Sequence, residues 1–210
     1  MKEIEKLLEV IKRLRGENGC SWDRAQTIET LTGSIIEESY ELVESIEEGN
    51  LEDLKEELGD LIFLSLFVAY IGSQENRFSM EEIVSGVTEK LIRRHPHVFG
   101  GLETEDVKEI LKNWEKIKAN EAKNKKRKSI IDGIPKKLPE IYRFFKILDK
   151  LSRNEVNIEE VDKNRLKDSF NSFLESGKED FIKDFLIYCY RNKIDLPNLI
   201  RKSEKILLKN

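Results

Sequence analysis

Residues 37–60 read Glu-Glu-Ser-Tyr-Glu-Leu-Val-Glu-Ser-Ile-Glu-Glu-Gly-Asn-Leu-Glu-Asp-Leu-Lys-Glu-Glu-Leu-Gly-Asp. Glu38 and Glu41 are three apart, as are Glu57 and Asp60, and that spacing puts each pair on one face of a helix. Between the pairs, Gly49 suits the left-handed position that stops a helix, and Asn50 suits the N-cap of the next one. The stretch therefore predicts two antiparallel helices joined as a hairpin. The first pair is centred 10 residues before the turn and the second 9 residues after it. At about 1.5 Å of rise per residue the pairs lie at nearly the same height. Four acids then face one small space, with Glu37 beside them.

Working outward, helical periodicity covers the rest of the chain. The first arm is expected over 27–48 with an inner face of Ile28, Leu31, Ile35, Tyr40, Val43 and Ile46, and the second over 51–71, stopping at Gly72. Residues 1–15 place Ile4, Leu7, Leu8, Ile11 and Leu14 at helical spacing, and a loop over 16–26 follows. Ser79 with Glu82 forms a capping box for a helix to about Arg94, ended by Pro96. Thr104 opens another, with Val107, Ile110, Leu111, Trp114 and Ile117 on one side. Beyond a junction at 129–139, further helices are expected over 141–151, 166–174 and 180–190, with a tail after Pro197. No run alternates as a strand does, so the class is all-α.

Composition narrows the possible functions. The apolar run 61–71 is shorter than the roughly 20 residues needed to span a bilayer, and residues 1–15 lack the uninterrupted apolar core of a signal peptide. These features predict a cytoplasmic protein with no membrane partner. Cys20 and Cys189 lie far apart without Cys-x-x-Cys spacing, the pattern of reduced thiols rather than a disulfide framework or zinc site. Residues 1–120 hold 15 Lys and Arg against 26 Asp and Glu, whereas the remaining 90 hold 22 against 15. Between Glu29 and Asp60 there are 12 acids and one base, Lys55, too dense for ordinary ion pairing along a helix. The basic stretch 123–128 lies between helical patterns without interleaved aromatics. It reads as a solvated segment, and no nucleic-acid partner is expected.

A solvated acidic helix face is the plain alternative for these carboxylates. Against it, Asp60 runs straight into Leu61, Ile62, Phe63 and Leu64, the most apolar stretch of the chain. Clustered carboxylates at an apolar boundary call for a cation, and hard oxygen ligands select Mg²⁺ or Mn²⁺, one ion or two. A di-iron bundle would require Glu-x-x-His pairs, which neither His95 nor His97 completes; the two flank Pro96 and satisfy a turn. The remaining role is that of Mg²⁺ with phosphates: neutralising, orienting, and lowering the pKa of an attacking water. Lys90, Arg93 and Arg94 cluster at one helix end, where they suit either phosphate or the helix dipole. Trp114 suits core packing or base stacking, and Lys118 follows it by one turn.

Taken in order, these residues resemble a known family. Glu17-Asn-Gly-Cys-Ser-Trp-Asp23 with Gln26-Thr27, Glu37-Glu38-Ser-Tyr-Glu41, Glu57-Leu-Gly-Asp60, Lys90-Leu-Ile-Arg93-Arg94-His-Pro-His-Val-Phe and Trp114-Glu-Lys-Ile-Lys118 are similar to the MazG nucleoside triphosphate pyrophosphohydrolases. The resemblance covers residues 1 to about 120. It departs at Ser21, where the family usually has Pro, a change in a turn that touches no ligand. It implies a helical bundle that cleaves a nucleoside triphosphate (NTP or dNTP) to monophosphate and pyrophosphate with Mg²⁺, as in nucleotide-pool house-cleaning. Carried over by position, Glu38, Glu41, Glu57 and Asp60 are implied as metal ligands. Glu37 orients or deprotonates the water, a role for which Glu38 and Glu41 compete. Lys90, Arg94, Trp114 and Lys118 are implied as triphosphate and nucleotide contacts, with Arg93 in support. Family members are typically homodimers with intertwined helices.

The junction Asp132-Gly-Ile-Pro135 to Leu138-Pro139 matches the family's passage into a second MazG-like repeat. There the alignment puts Asp168, Ser169 and Ser172 on the Glu-Glu-x-x-Glu positions and Phe181 and Asp184 on the Glu-x-x-Asp positions. Serine and phenylalanine cannot replace carboxylates around Mg²⁺. Residues 1–128 are accordingly expected to be catalytic and 129–210 a degenerate, non-catalytic repeat. A non-catalytic helical dimer that senses nucleotide and regulates a partner is the alternative.

Overall fold

In the computed structural model the described residues are 2–121, 129, 131–177 and 179–207, and every regular element among them is a helix. They are α1 (Lys2–Leu14), α2 (Ser21–Ala25), α3 (Thr32–Glu48), α4 (Leu51–Gln74), α5 (Met80–Arg94), α6 (Pro96–Phe99), α7 (Val107–Asn120), α8 (Glu140–Arg153), α9 (Lys163–Ser176), α10 (Asp180–Arg191) and α11 (Leu196–Leu207). The chain packs as two units, Met1–Ile92 and Arg93–Asn210. Its packing thus divides inside the last turn of α5, and α6 and α7 pack with the C-terminal helices. The basic stretch 123–128 lies outside the described residues. No helix among the described residues is long and apolar enough to cross a membrane.

In the first unit the α3–α4 hairpin forms as its sequence predicts. Gly49 adopts φ 69°, ψ 22° and its N–H is held by Ile46 O and Ser45 O, a conformation that a side chain would strain. The Asn50 side chain accepts from the N–H groups of Glu52 and Asp53, satisfying donors that no earlier turn can reach. α4 is polar in its first half and apolar in its second. Leu64, Phe67 and Ile71 in the second half are buried with Ile11 of α1 and Leu31, and Leu7, Ile28 and Phe63 pack around them. Full burial of each large side chain contributes about 1.5–3 kcal/mol. The core therefore anchors the far end of the hairpin and leaves its acidic half at the edge of the apolar contacts.

Four expectations need correction. The loop expected over 16–26 contains the short helix α2. α3 begins at Thr32, because Thr27 and Thr30 close a turn in which each backbone N–H donates to the other's hydroxyl. Gly72 does not end α4. It is buried inside the helix, and a Cβ there would lie 2.1 Å from the Phe78 ring; the glycine is a seat for Phe78. The inner face expected for α3 is buried only at its start: Tyr40 is 47% exposed and Ile46 58%, because no other element of the unit covers them. The capping box is present, with Ser79 N–H donating to Glu82 and Glu82 N–H to Ser79 Oγ. α5 nonetheless buries none of its residues.

The second unit is centred on Leu148, Val161 and Ile187 from α8, the α8–α9 connection and α10. α9 and α10 form a hairpin closed by Gly177 at φ 67°, the same left-handed stop as Gly49. The tail expected after Pro197 is instead helix α11. The helix expected from Thr104 starts later, capped by Asp106, whose carboxylate accepts from Lys108 N–H.

Candidate metal and nucleotide site

The hairpin brings Glu38 and Glu41 of α3 against Glu57 of α4, with one carboxylate oxygen from each lying within 4.8 Å of the others. Glu38 and Glu57 are half-buried and Glu41 is exposed. Like charges this close raise one another's pKa. Burial pushes the Glu38 carboxyl up first, followed by the charges of Asp60 and Glu41, to about 7. Glu57 is also raised, by desolvation and then by Glu41. Glu38 and Glu57 share a hydrogen bond, so one proton is held between two carboxyls, one from each helix.

That arrangement fits a small divalent cation. Octahedral Mg²⁺ holds oxygens at about 2.1 Å, which limits the separation of any two ligand oxygens to about 4.2 Å. The trio needs only side-chain adjustment to reach that limit. Asp60 is not one of the three, but it stands near enough to be the second cause of the Glu38 shift. Glu37 is exposed and outside the trio, since consecutive residues point about 100° apart around a helix. Between Glu57 and Asp60, Gly59 leaves the α4 surface bare, with nothing within 4 Å of where a Cβ would stand.

Lys90 lies on α5 in the first unit, half-buried, with no ion pair among the described residues. Arg93, Arg94, Trp114 and Lys118 belong to the second unit, where they form a cluster around Glu121. Arg94 grips that carboxylate with two hydrogen bonds, Nε at 2.9 Å and Nη2 at 2.7 Å, while Arg93 donates at 2.8 Å. The Arg94 and Glu121 side chains are 11% and 8% exposed, and the pair holds the Glu121 carboxyl down to about 2. The Arg94 guanidinium lies 5.2 Å and the Lys118 ammonium 4.2 Å from the Trp114 ring centroid, at cation–π range. Trp114 here packs against cations. Sequence reasoning missed Glu121, whose only signal was its place as an acid at the end of α7, just ahead of the basic stretch.

The positions that the family resemblance aligns with the acidic set lie in the second unit and are occupied differently. Asp184 is 3% exposed and accepts from Arg165 Nε at 3.1 Å and Nη2 at 3.0 Å; Glu159 pairs with the same guanidinium. Phe181 packs its ring against Phe170 and Phe173. Arg165 thus neutralises Asp184, and the aromatic ring of Phe181 packs with its neighbours.

Residues 26–99, which carry the whole α3–α4 hairpin, match the MazG nucleotide pyrophosphohydrolase domain. Over 148 residues the chain is 42% identical to a nucleoside triphosphate pyrophosphohydrolase of Escherichia coli (strain K12), covering 70% of this chain and 56% of that one. Over 150 residues it is 41% identical to the nucleoside triphosphate pyrophosphohydrolase/pyrophosphatase MazG of Thermotoga maritima, covering 71% and 57%. A crystal structure of a MazG-related protein from Thermotoga maritima is 35% identical, covering 54% of this chain and 97% of that one, with a TM-score of 0.48. The chain belongs to the MazG family. It spans about half the length of the curated relatives it matches.

Proposed function

We propose that the protein hydrolyses nucleoside triphosphates, NTP or dNTP, to the monophosphate and pyrophosphate in a Mg²⁺- or Mn²⁺-dependent reaction that cleanses a cytoplasmic nucleotide pool. The observation that carries this proposal is the Glu38, Glu41 and Glu57 trio on two facing helices, where burial first, and then the neighbouring charges of Asp60 and Glu41, raise Glu38 to about 7. Glu38, Glu41 and Glu57 hold the cation, with Asp60 at the same level of the hairpin. When bound, a divalent cation there supplies charge neutralisation for the triphosphate and acidifies a water. Glu37, exposed beside the trio, orients or deprotonates the attacking water, a role for which Glu38 and Glu41 compete. Bare backbone at Gly59 leaves room for substrate against α4.

Lys90, Arg93, Arg94, Trp114 and Lys118 enter as nucleotide contacts on the strength of the family resemblance. For Arg93 and Arg94 that role means exchanging the Glu121 carboxylate for phosphate oxygens, a swap between two anions that a guanidinium fork grips alike. For Trp114 it means releasing a ring face from a cation. A homodimer is supported by apolar surface that this chain leaves uncovered: Ile36, Tyr40 and Ile46 on α3, Leu58 and Ile62 on α4, and Val84 and Leu91 on α5 are all exposed. Ile36 and Leu58 adjoin the acidic positions, so a partner covering them would also desolvate the carboxylates. Residues 1–128 are proposed to hold the chemistry and 129–210 to be the non-catalytic repeat.

The test is a panel of canonical and damaged NTPs and dNTPs with Mg²⁺, products identified, for wild type and Glu41→Gln. Pyrophosphate release by wild type and a loss of about 100-fold or more in the variant are expected. Orthophosphate as product, or unchanged turnover in the variant, would overturn the mechanism. Saturable nucleotide binding without any turnover would favour the alternative, a nucleotide-sensing dimer that regulates a partner.

A further inference from the structure

The α9–α10 hairpin carries a groove of about 440 Å³ that the hydrolytic proposal leaves without a role. Phe170, Phe181, Phe185 and Tyr188 line it together with Lys163 and Lys167. The rings are already packed on one another: the Phe181 centroid is 5.1 Å from Phe170 and 5.8 Å from Phe185. An apolar wall is thus prearranged before any ligand arrives, which lowers the entropic cost of binding.

The basic residues of α9 divide into two groups. Arg165 is committed to Asp184 and Glu159. Lys163 and Lys167, one turn apart and exposed, have no ion-pair partner among the described residues. No carboxylate lines the groove among the described residues, so none of them there would hold a divalent cation, and the two ammonium groups are the charges among them that an occupant meets.

Three occupants can be compared on this chemistry. A second copy of the hairpin would bring its own Lys163 and Lys167 across a two-fold axis, adding like charge to like charge. A single-stranded nucleic acid uses repeated stacking platforms along a charged track, whereas this groove offers one aromatic wall with one pair of lysines. A flat aromatic body carrying one anionic group satisfies both halves, and the volume lies within the roughly 300–1,000 Å³ of small-ligand sites. We infer that the α9–α10 groove is a metal-independent binding site for a nucleoside monophosphate, its base against the phenylalanine rings and its phosphate on Lys163 and Lys167.

Calorimetric titration of the full chain in EDTA with AMP, GMP, CMP and UMP, and with inorganic phosphate alone, tests this. At least one monophosphate should bind saturably without metal, and more tightly than phosphate. Lys163→Glu with Lys167→Glu should weaken that binding at least tenfold while circular dichroism stays unchanged, Phe170→Ser should weaken it too, and Glu41→Gln should leave it intact. No binding in EDTA, binding indifferent to the lysine reversals, or binding lost in Glu41→Gln would overturn the assignment. So would a lysine variant that changes the sedimenting mass of a protein that binds no monophosphate, since the groove would then be a face for a second copy.

Discussion

Protons should compete with Mg²⁺ at the carboxylate trio, and the structure sets the scale of that competition. The Glu38 carboxyl is raised from 4.5 to about 7 by burial and then by Asp60 and Glu41. At pH 6 about nine-tenths of the Glu38 carboxyls are then protonated, and at pH 8 about one-tenth. A metal ligand must be deprotonated, so binding releases that proton. Mg²⁺ affinity should tighten about fivefold between pH 6 and 7 and less than about twofold from 7 to 8. Calorimetric titration of Mg²⁺ in two buffers of different ionisation enthalpy counts the protons directly, and Glu38→Gln should abolish their release. For the metal-free protein the sign is set by linkage. A folded-state pKa above the unfolded value means that the native state binds more protons between them, so stability falls as pH rises from about 4.5 to about 7. Saturating Mg²⁺ should remove that decline. An affinity flat from pH 6 to 8, or release of less than about 0.1 proton at pH 6, would refute the picture of a proton held in place of a cation.

Three further outcomes follow from particular contacts. Glu121→Ala strips the partner from a guanidinium only 11% exposed and should cost about 3–5 kcal/mol in a denaturant melt. Because this carboxyl is held at about 2, the wild-type pair stabilises above the ordinary carboxylate range and loses its contribution as pH falls toward 2. Asp184→Asn breaks the charge balance with Arg165 and should lower the melting temperature while leaving pyrophosphate release unchanged; loss of turnover in folded protein would give the C-terminal half a catalytic part. Gly72→Ala forces a methyl to within 2.1 Å of the Phe78 ring and should cost about 1–3 kcal/mol, read as a shifted unfolding midpoint with normal Mg²⁺ binding.

Much of the first unit could be read locally because its signals act over one or two helical turns. Gly49 and Asn50 mark a helix stop and start whatever surrounds them, and Ser79 with Glu82 closes a box within four residues. The hairpin length then follows from the rise per residue, which is why Glu38, Glu41 and Glu57 could be expected to meet. Local signals failed where a distant ring or charge decided. Gly72 resembles a helix stop until Phe78 packs on it. Around Arg94 no local signal showed that Glu121, 27 residues further on, holds the guanidinium.

From the amino-acid order alone come the all-α class, the α3–α4 hairpin and the acid spacing that makes a cage possible, since helix geometry is periodic and each of these features lies on a short stretch of chain. Tertiary structure decided which acids share a space and which proton they hold. It also decided that the α3 face from Tyr40 to Ile46 stays open, and that Asp184 answers to an arginine. These outcomes depend on distances between residues far apart in sequence and on the water excluded between them, and neither quantity is encoded in any single stretch.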